Sequence, residues 1–334
     1  MHLSFATALL GPALLVAGAA IPETNVTAPP VPLEKLPKHK PKPKQEDDFR
    51  VAAAATGSCT NPRVRIEWDS YSNDDKHAYI NAINCLRSRP ASGQFPPAGN
   101  RYEDLVRLHQ TLTPNVHDNA KFLIWHRYFV WVFEDIMRSE CGFDRALPWW
   151  DEGRNTGRFA ASSVFSDEFM GPVAINNNCV TRGAFANSNL NIGPTTENYP
   201  HCLSRAGNSQ WTSQLTEDLV NQVNSWPDYK DMAYYAEGTF HAYGHLGVGG
   251  VQEDKYASPG DPWFWLHHAY VDRNYANWQG MDPNSRLHYI NGNDINGNPL
   301  NLDVYVYMNG LRPDVPIRDI IDVQGEKLCY TYQY

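Results

Sequence analysis

The 334-residue sequence predicts a mainly α-helical fold, with four helices bundled into a core, long loops wrapped around them and few short strands. Two observations predict it. Apolar residues recur at three- and four-residue spacing in several separate segments, and the intervening stretch 153–210 is rich in Gly, Asn, Ser and Pro, as an irregular surface excursion would be. Helices joined by connections of such unequal length fit a bundle rather than a repeat array, and no internal repeat of fixed period is present.

In chain order, residues 1–20 (MHLSFATALLGPALLVAGAA) form one apolar stretch ending in small residues, with Ala17 and Ala19 set for cleavage. This reads as a secretory signal peptide. Residues 21–57 alternate proline and lysine, as in KLPKHKPKPK at 35–44, and carry Asn25-Val26-Thr27, the sole glycosylation acceptor in the sequence. Proline blocks helix and sheet while the lysines repel, so a linker or propeptide is expected. The folded domain is expected over 58–334. There, helices are expected at 74–87, 101–110, 121–138, 233–246 and 261–278, the last two separated by Gly247-Val248-Gly249-Gly250.

The formal net charge is −9, and the first fifty residues hold six basic and five acidic side chains, leaving −10 for the remainder. A domain this acidic lacks the clustered Lys and Arg that nucleic acid requires. Nor does any later segment reach the roughly 20 uninterrupted apolar residues of a membrane span. All six cysteines (Cys59, Cys85, Cys141, Cys179, Cys202, Cys329) follow the linker. An even number in an exported domain implies up to three disulfides, with connectivity left open.

Histidine placement points to chemistry. His109, His117 and His126 form one cluster, and His241, His245, His267 and His268 another. His241 and His245 are one helical turn apart on the same face, the spacing at which a helix offers two nitrogens to one metal ion. Both clusters lie among Trp, Phe, Leu and Tyr, where unpartnered imidazoles would be costly. A zinc protease would need Glu straight after His241, where Ala242 stands. An all-imidazole donor set leaves zinc open but favours copper, and two clusters imply two adjacent ions.

At these residues the chain resembles the tyrosinase family of type 3 copper proteins, in particular its short secreted fungal catechol oxidases, also called polyphenol oxidases. Asp261-Pro262-Trp263-Phe264-Trp265-Leu266-His267-His268, continuing to Asp272, follows the family's D-P-x-F-x-x-x-H-x-x-x-D. Trp125-His126-Arg127-Tyr128-Phe129, Leu147-Pro148-Trp149-Trp150-Asp151, and the boundary markers Arg65, Trp68 and Tyr330-Thr331-Tyr332 also match. The resemblance implies His109, His117 and His126 as ligands of one copper ion and His241, His245 and His268 as ligands of a second. His267 would then support the site, and Asp272 would bond a ligand or pair with Arg127 or Arg273.

The implied activity is oxidation of o-diphenols to o-quinones with reduction of O2 to water, the partners being a small phenol and O2. Glu237 becomes a candidate acid/base or water-orienting group, with a plain surface carboxylate as the alternative, and Leu246 a candidate lining residue. Three departures from the family stand out. Asn115 and Val116 precede His117, so no neighbouring cysteine offers a thioether. Ala242 occupies a position often held by Asn in enzymes that hydroxylate monophenols, and with the sequence ending two residues past Tyr332 the shielding domain of latent precursors is not expected. Monophenol hydroxylation, o-aminophenol oxidation, oxygen carriage and an inert zinc protein are the competing readings.

Overall fold

The computed structural model describes residues 59–334; the expected signal peptide at 1–20, the expected linker or propeptide at 21–57 and residue 58 lie outside the described residues. The helices are α1 (Asn73–Ser88), α2 (Arg101–Val116), α3 (Phe122–Cys141), α4 (Ser209–Thr212), α5 (Glu217–Asn224), α6 (Tyr229–Ala236), α7 (Ala242–Val248), α8 (Trp263–Met281) and α9 (Pro283–Arg286). Between α6 and α7 the chain makes a π-helical turn, Glu237–His241. The bundle consists of α2, α3, the α6–π–α7 unit and α8, with α1 packed on α2 and α3 and α5 on α6 and α8.

Each core helix begins or ends for a local reason. Asn100 caps α2 by accepting from the Glu103 amide, and Glu103 and Asp104 favour the positive end of the helix dipole. Helix α3 stops at Gly142, whose φ of 66° suits a residue without a Cβ. Asp261 precedes α8 and accepts from the Trp263 amide at 3.0 Å while holding the buried Arg205 at 2.7 Å. Almost every residue of α8 through Trp278 is buried, as expected of a helix apolar around its whole circumference.

Two expectations need correction. The helix expected to end at 110 runs on to Val116 through Pro114, and the one expected at 233–246 starts at Tyr229 and is interrupted by the π turn. Proline within the last turn removes only one backbone bond, and nothing in side-chain periodicity marks an i→i+5 turn.

The strands are short: β1 (Arg63–Ile66), β2 (Asn178–Cys179), β3 (Asn189–Leu190), β4 (His201–Cys202), β5 (Ser204–Arg205), β6 (Tyr305–Val306), β7 (Val315–Pro316) and β8 (Tyr330–Gln333). β1 and β8 pair in parallel with Arg65 opposite Tyr332, while β2–β5, β3–β4 and β6–β7 are antiparallel pairs. Disulfides join Cys59 to Cys329, Cys85 to Cys141 and Cys179 to Cys202. The first reinforces the β1–β8 junction, and the second ties α1 to the end of α3. Among the described residues no helix is long and apolar enough to cross a membrane.

Beneath β1 and β8 lies a buried charge network. Asp272 on α8 accepts from Arg127 Nε at 2.6 Å and from the hydroxyls of Tyr330 and Tyr332 at 2.5 and 2.6 Å. Arg65 stacks 3.5 Å over the Tyr330 ring and donates to Glu134 on α3 at 2.7 Å. Of the two arginines considered for Asp272, the structure selects Arg127; Arg273 instead lies 4.3 Å over the Trp149 ring. The boundary residues thus lock α3 and α8, which carry His126 and His268, to the sheet that joins the first and last strands of the described residues.

Candidate metal centre

The two histidine clusters come together in the middle of the bundle. His109 comes from α2, His126 from α3, His245 from α7, and His267 and His268 from α8; His241 closes the π turn. His117 caps the C-terminus of α2 in an extended conformation, and Asp118 follows at a φ of 57°, which turns the chain back over His109. Within each cluster the ligating atoms lie within 4.8 Å of one another. The clusters also touch, since the rings of His126 and His268 stack at 4.5 Å.

Nδ1 contacts fix the tautomers. His109 Nδ1 faces the Tyr256 carbonyl at 2.9 Å, His126 Nδ1 that of Phe122 at 2.8 Å, His241 Nδ1 that of Glu237 at 3.0 Å, and His245 Nδ1 that of Gln252 at 2.8 Å. A carbonyl oxygen only accepts, so the proton sits on Nδ1 and each Nε2 carries a bare lone pair. The π turn makes one of these bonds: the Glu237 carbonyl takes the Ala242 amide and remains open to the His241 ring.

The Nε2 atoms then meet one another. His109 Nε2 lies 3.3 Å from that of His117 and 3.4 Å from that of His126, and His245 Nε2 lies 3.3 Å from that of His268. Between His109 and His126, whose tautomers the carbonyls fix, two lone pairs face each other and repel unless a cation sits between them. His241 Nε2 and His268 Nδ1 are moreover buried without any hydrogen-bond partner. Two imidazole-bound transition-metal ions, one per cluster, resolve the convergence of lone pairs and give His241 Nε2 its partner, so the residues present fit the group.

Aromatic rings seal the centre. Phe264 stacks on His268 at 4.0 Å and meets the His109 ring edge at 5.4 Å, and Phe122 packs on His126 at 4.8 Å and His241 at 4.6 Å. All six cysteines are in disulfides, so none is available for a thioether to His117.

Glu237 is buried, which removes the surface-carboxylate alternative. Its Oε1 bonds His117 Nδ1 at 2.9 Å, and the Asp118 amide donates to both of its oxygens. It therefore bridges the π turn that carries His241 to a residue of the other cluster. Burial pushes its carboxyl up to about 8, against the pull of the Asp118 amide. Ala242 and Leu246 are both buried.

His267 makes a different contact. Its Nδ1 lies 2.6 Å from Glu152 Oε1, and its ring stacks on Trp263 at 4.9 Å. A Cβ on Gly244 would come within 2.4 Å of this ring, so the glycine between His241 and His245 makes room for it. Glu152, Tyr256 and Gln252 went unnoticed in the sequence. Glu152 directly follows the Trp149-Trp150-Asp151 motif, a usable signal; the other two act through backbone carbonyls, which leave none.

Burial, above all, holds the imidazoles neutral: His109 is lowered to about 4, His267 to about 3, and His117, His126, His241, His245 and His268 fall well below the usual value. Unfolded histidines take up protons below about 6.5, whereas these do not until far lower, so acid favours the unfolded chain. The melting temperature of metal-free protein is expected to fall between pH 7 and pH 5, as calorimetry would show; a flat profile would contradict neutral burial.

The common central domain of tyrosinase matches residues 99–281. "Tyrosinase P" of Aspergillus terreus is 29% identical over 331 residues, covering 82% of this chain and 93% of that protein. "Tyrosinase ustQ" of Aspergillus flavus is 32% identical over 296 residues, covering 82% and 80%. Among solved structures, a polyphenol oxidase from Thermothelomyces thermophila superposes with a TM-score of 0.72 at 26% identity, covering 82% of this chain and 89% of that one.

Proposed function

Since this chain belongs to the tyrosinase family, whose buried histidine clusters fit a binuclear type 3 copper centre, we propose that it oxidises o-diphenols to o-quinones, with His109, His117 and His126 holding one copper ion and His241, His245 and His268 the other. The copper pair would supply the electron transfer between diphenol and O2. Each diphenol gives up two electrons and two protons, and two diphenols reduce one O2 to two waters.

The residues themselves hold the geometry. Carbonyl bonds at Nδ1 keep four of the six rings aimed inward, and Phe122 and Phe264 exclude water from between them. Glu237 bonds His117 Nδ1, and in this reading it would also hold a phenolic proton. Leu246 offers an apolar surface to the ring of a substrate. Three disulfides support an oxidising compartment, in keeping with the expected signal peptide.

The preference for diphenols over monophenols rests on one observation. Ala242 follows His241 directly and is fully buried, and its methyl group can neither donate to nor accept from a water that would deprotonate a monophenol. Oxygen uptake with catechol and with a matching monophenol tests this. Catechol should be consumed without a lag and the monophenol at least about tenfold more slowly, one missing catalytic hydrogen bond being worth that much or more. Comparable rates would overturn the assignment.

A further inference from the structure

A cation that is not a metal ligand stands close to the metal centre, where its charge acts on His117 and Glu237. Lys255 lies between Gln252 and Tyr256, whose carbonyls hold His245 and His109. Its ammonium pairs with the carboxylate of Asp118, the residue after His117. The lysine side chain is 16% exposed and the aspartate 50%, so solvent reaches this pair.

The acids around it are not equivalent. Asp254 is committed to the amides of Thr195 and Tyr256 at 2.6 and 2.9 Å, and Glu237 to His117 and the Asp118 amide. Lys255 is ion-paired with the half-exposed Asp118, whose backbone amide is held by Glu237 whatever its side chain does. An incoming anion can therefore replace the Asp118 carboxylate without disturbing His117. In a chain of net charge −9, an anionic substrate needs a local cation of this kind.

We propose that Lys255 determines substrate choice by receiving the carboxylate of an acidic phenol, a catechol with a carboxylate on its side chain, whose ring enters the metal centre. This rests on the diphenol reading above, and the test separates the two. The probes are a catechol bearing a propionate side chain and its primary amide, which differ in charge alone, together with the corresponding monophenol pair for binding under nitrogen.

In the copper-loaded wild type, KM for the acid should be about three- to tenfold below that for the amide, the range of a partly exposed ion pair. Dissociation constants of the monophenol pair by calorimetry should show the same ratio, and high salt should erase it. Lys255→Met brings the ratio to about one. Asp118→Asn, which keeps a residue tolerant of positive φ, enlarges it. A ratio near one in the wild type, or one unchanged in Lys255→Met, overturns the proposal. The calorimetric ratio decides this even if neither catechol is oxidised, an outcome that would overturn only the diphenol reading.

Discussion

Replacing His109 with Gln is expected to leave a folded protein that holds about one copper ion instead of two and has lost almost all oxidase activity. His109 is the hub of its cluster, since its Nε2 alone approaches the Nε2 atoms of both His117 and His126, at 3.3 and 3.4 Å. Glutamine brings an amide in place of the imidazole and gives up the Nδ1 bond to Tyr256 that aims the ring. Loss of an outer hydrogen-bond partner typically costs roughly 10- to 100-fold in affinity or activity, and loss of a ligand should exceed that. Elemental analysis and a quinone assay read the two effects, with circular dichroism checking the fold. Full copper content with full activity would remove His109 from the ligand set.

The largest effect on stability is expected at Asp272. Its carboxylate is buried between Arg127 and Arg65 and accepts two tyrosine hydroxyls. Burial opposes its ionisation, but the two guanidinium groups outweigh burial and hold the carboxyl below its ordinary range. The stability it contributes is thus complete above the usual carboxylate pKa and lost only as pH falls through the lowered one. Asp272→Ala leaves two guanidinium groups buried beside a void, which should cost about 3–5 kcal/mol. Urea unfolding measures this directly; a loss under about 1 kcal/mol would mean that water or the protein backbone compensates the arginines.

Much of this was legible in the sequence, and the reasons are physical. Apolar periodicity marked α1, α3 and α8 to within a few residues because they are long and pack through most of their length. The i,i+4 spacing of His241 and His245 survives because His241 closes the π turn and the regular helix that carries His245 starts directly after it, at Ala242. What periodicity could not reveal depends on the backbone. The eight-residue step from His109 to His117 ends at the extended residue that closes α2, so no single helical face relates the two. Glu237 was placed by counting four residues back from His241 along an α-helix; the π turn rotates that register, and the carboxylate reaches the opposite cluster. The Nδ1 partners Tyr256 and Gln252 contribute carbonyls that any residue would supply. Asp118 and Lys255 are 137 residues apart, and only the fold brings them together.

The central claim is that six imidazoles, three from each cluster, grip two copper ions side by side. Anomalous scattering at the copper edge from crystals of the copper-loaded protein tests it most directly. Two peaks per chain are expected, one bonded by His109, His117 and His126 and the other by His241, His245 and His268, with His267 bound to Glu152 and not to metal. A single peak, or one ligated by His267 in place of His268, would contradict the account.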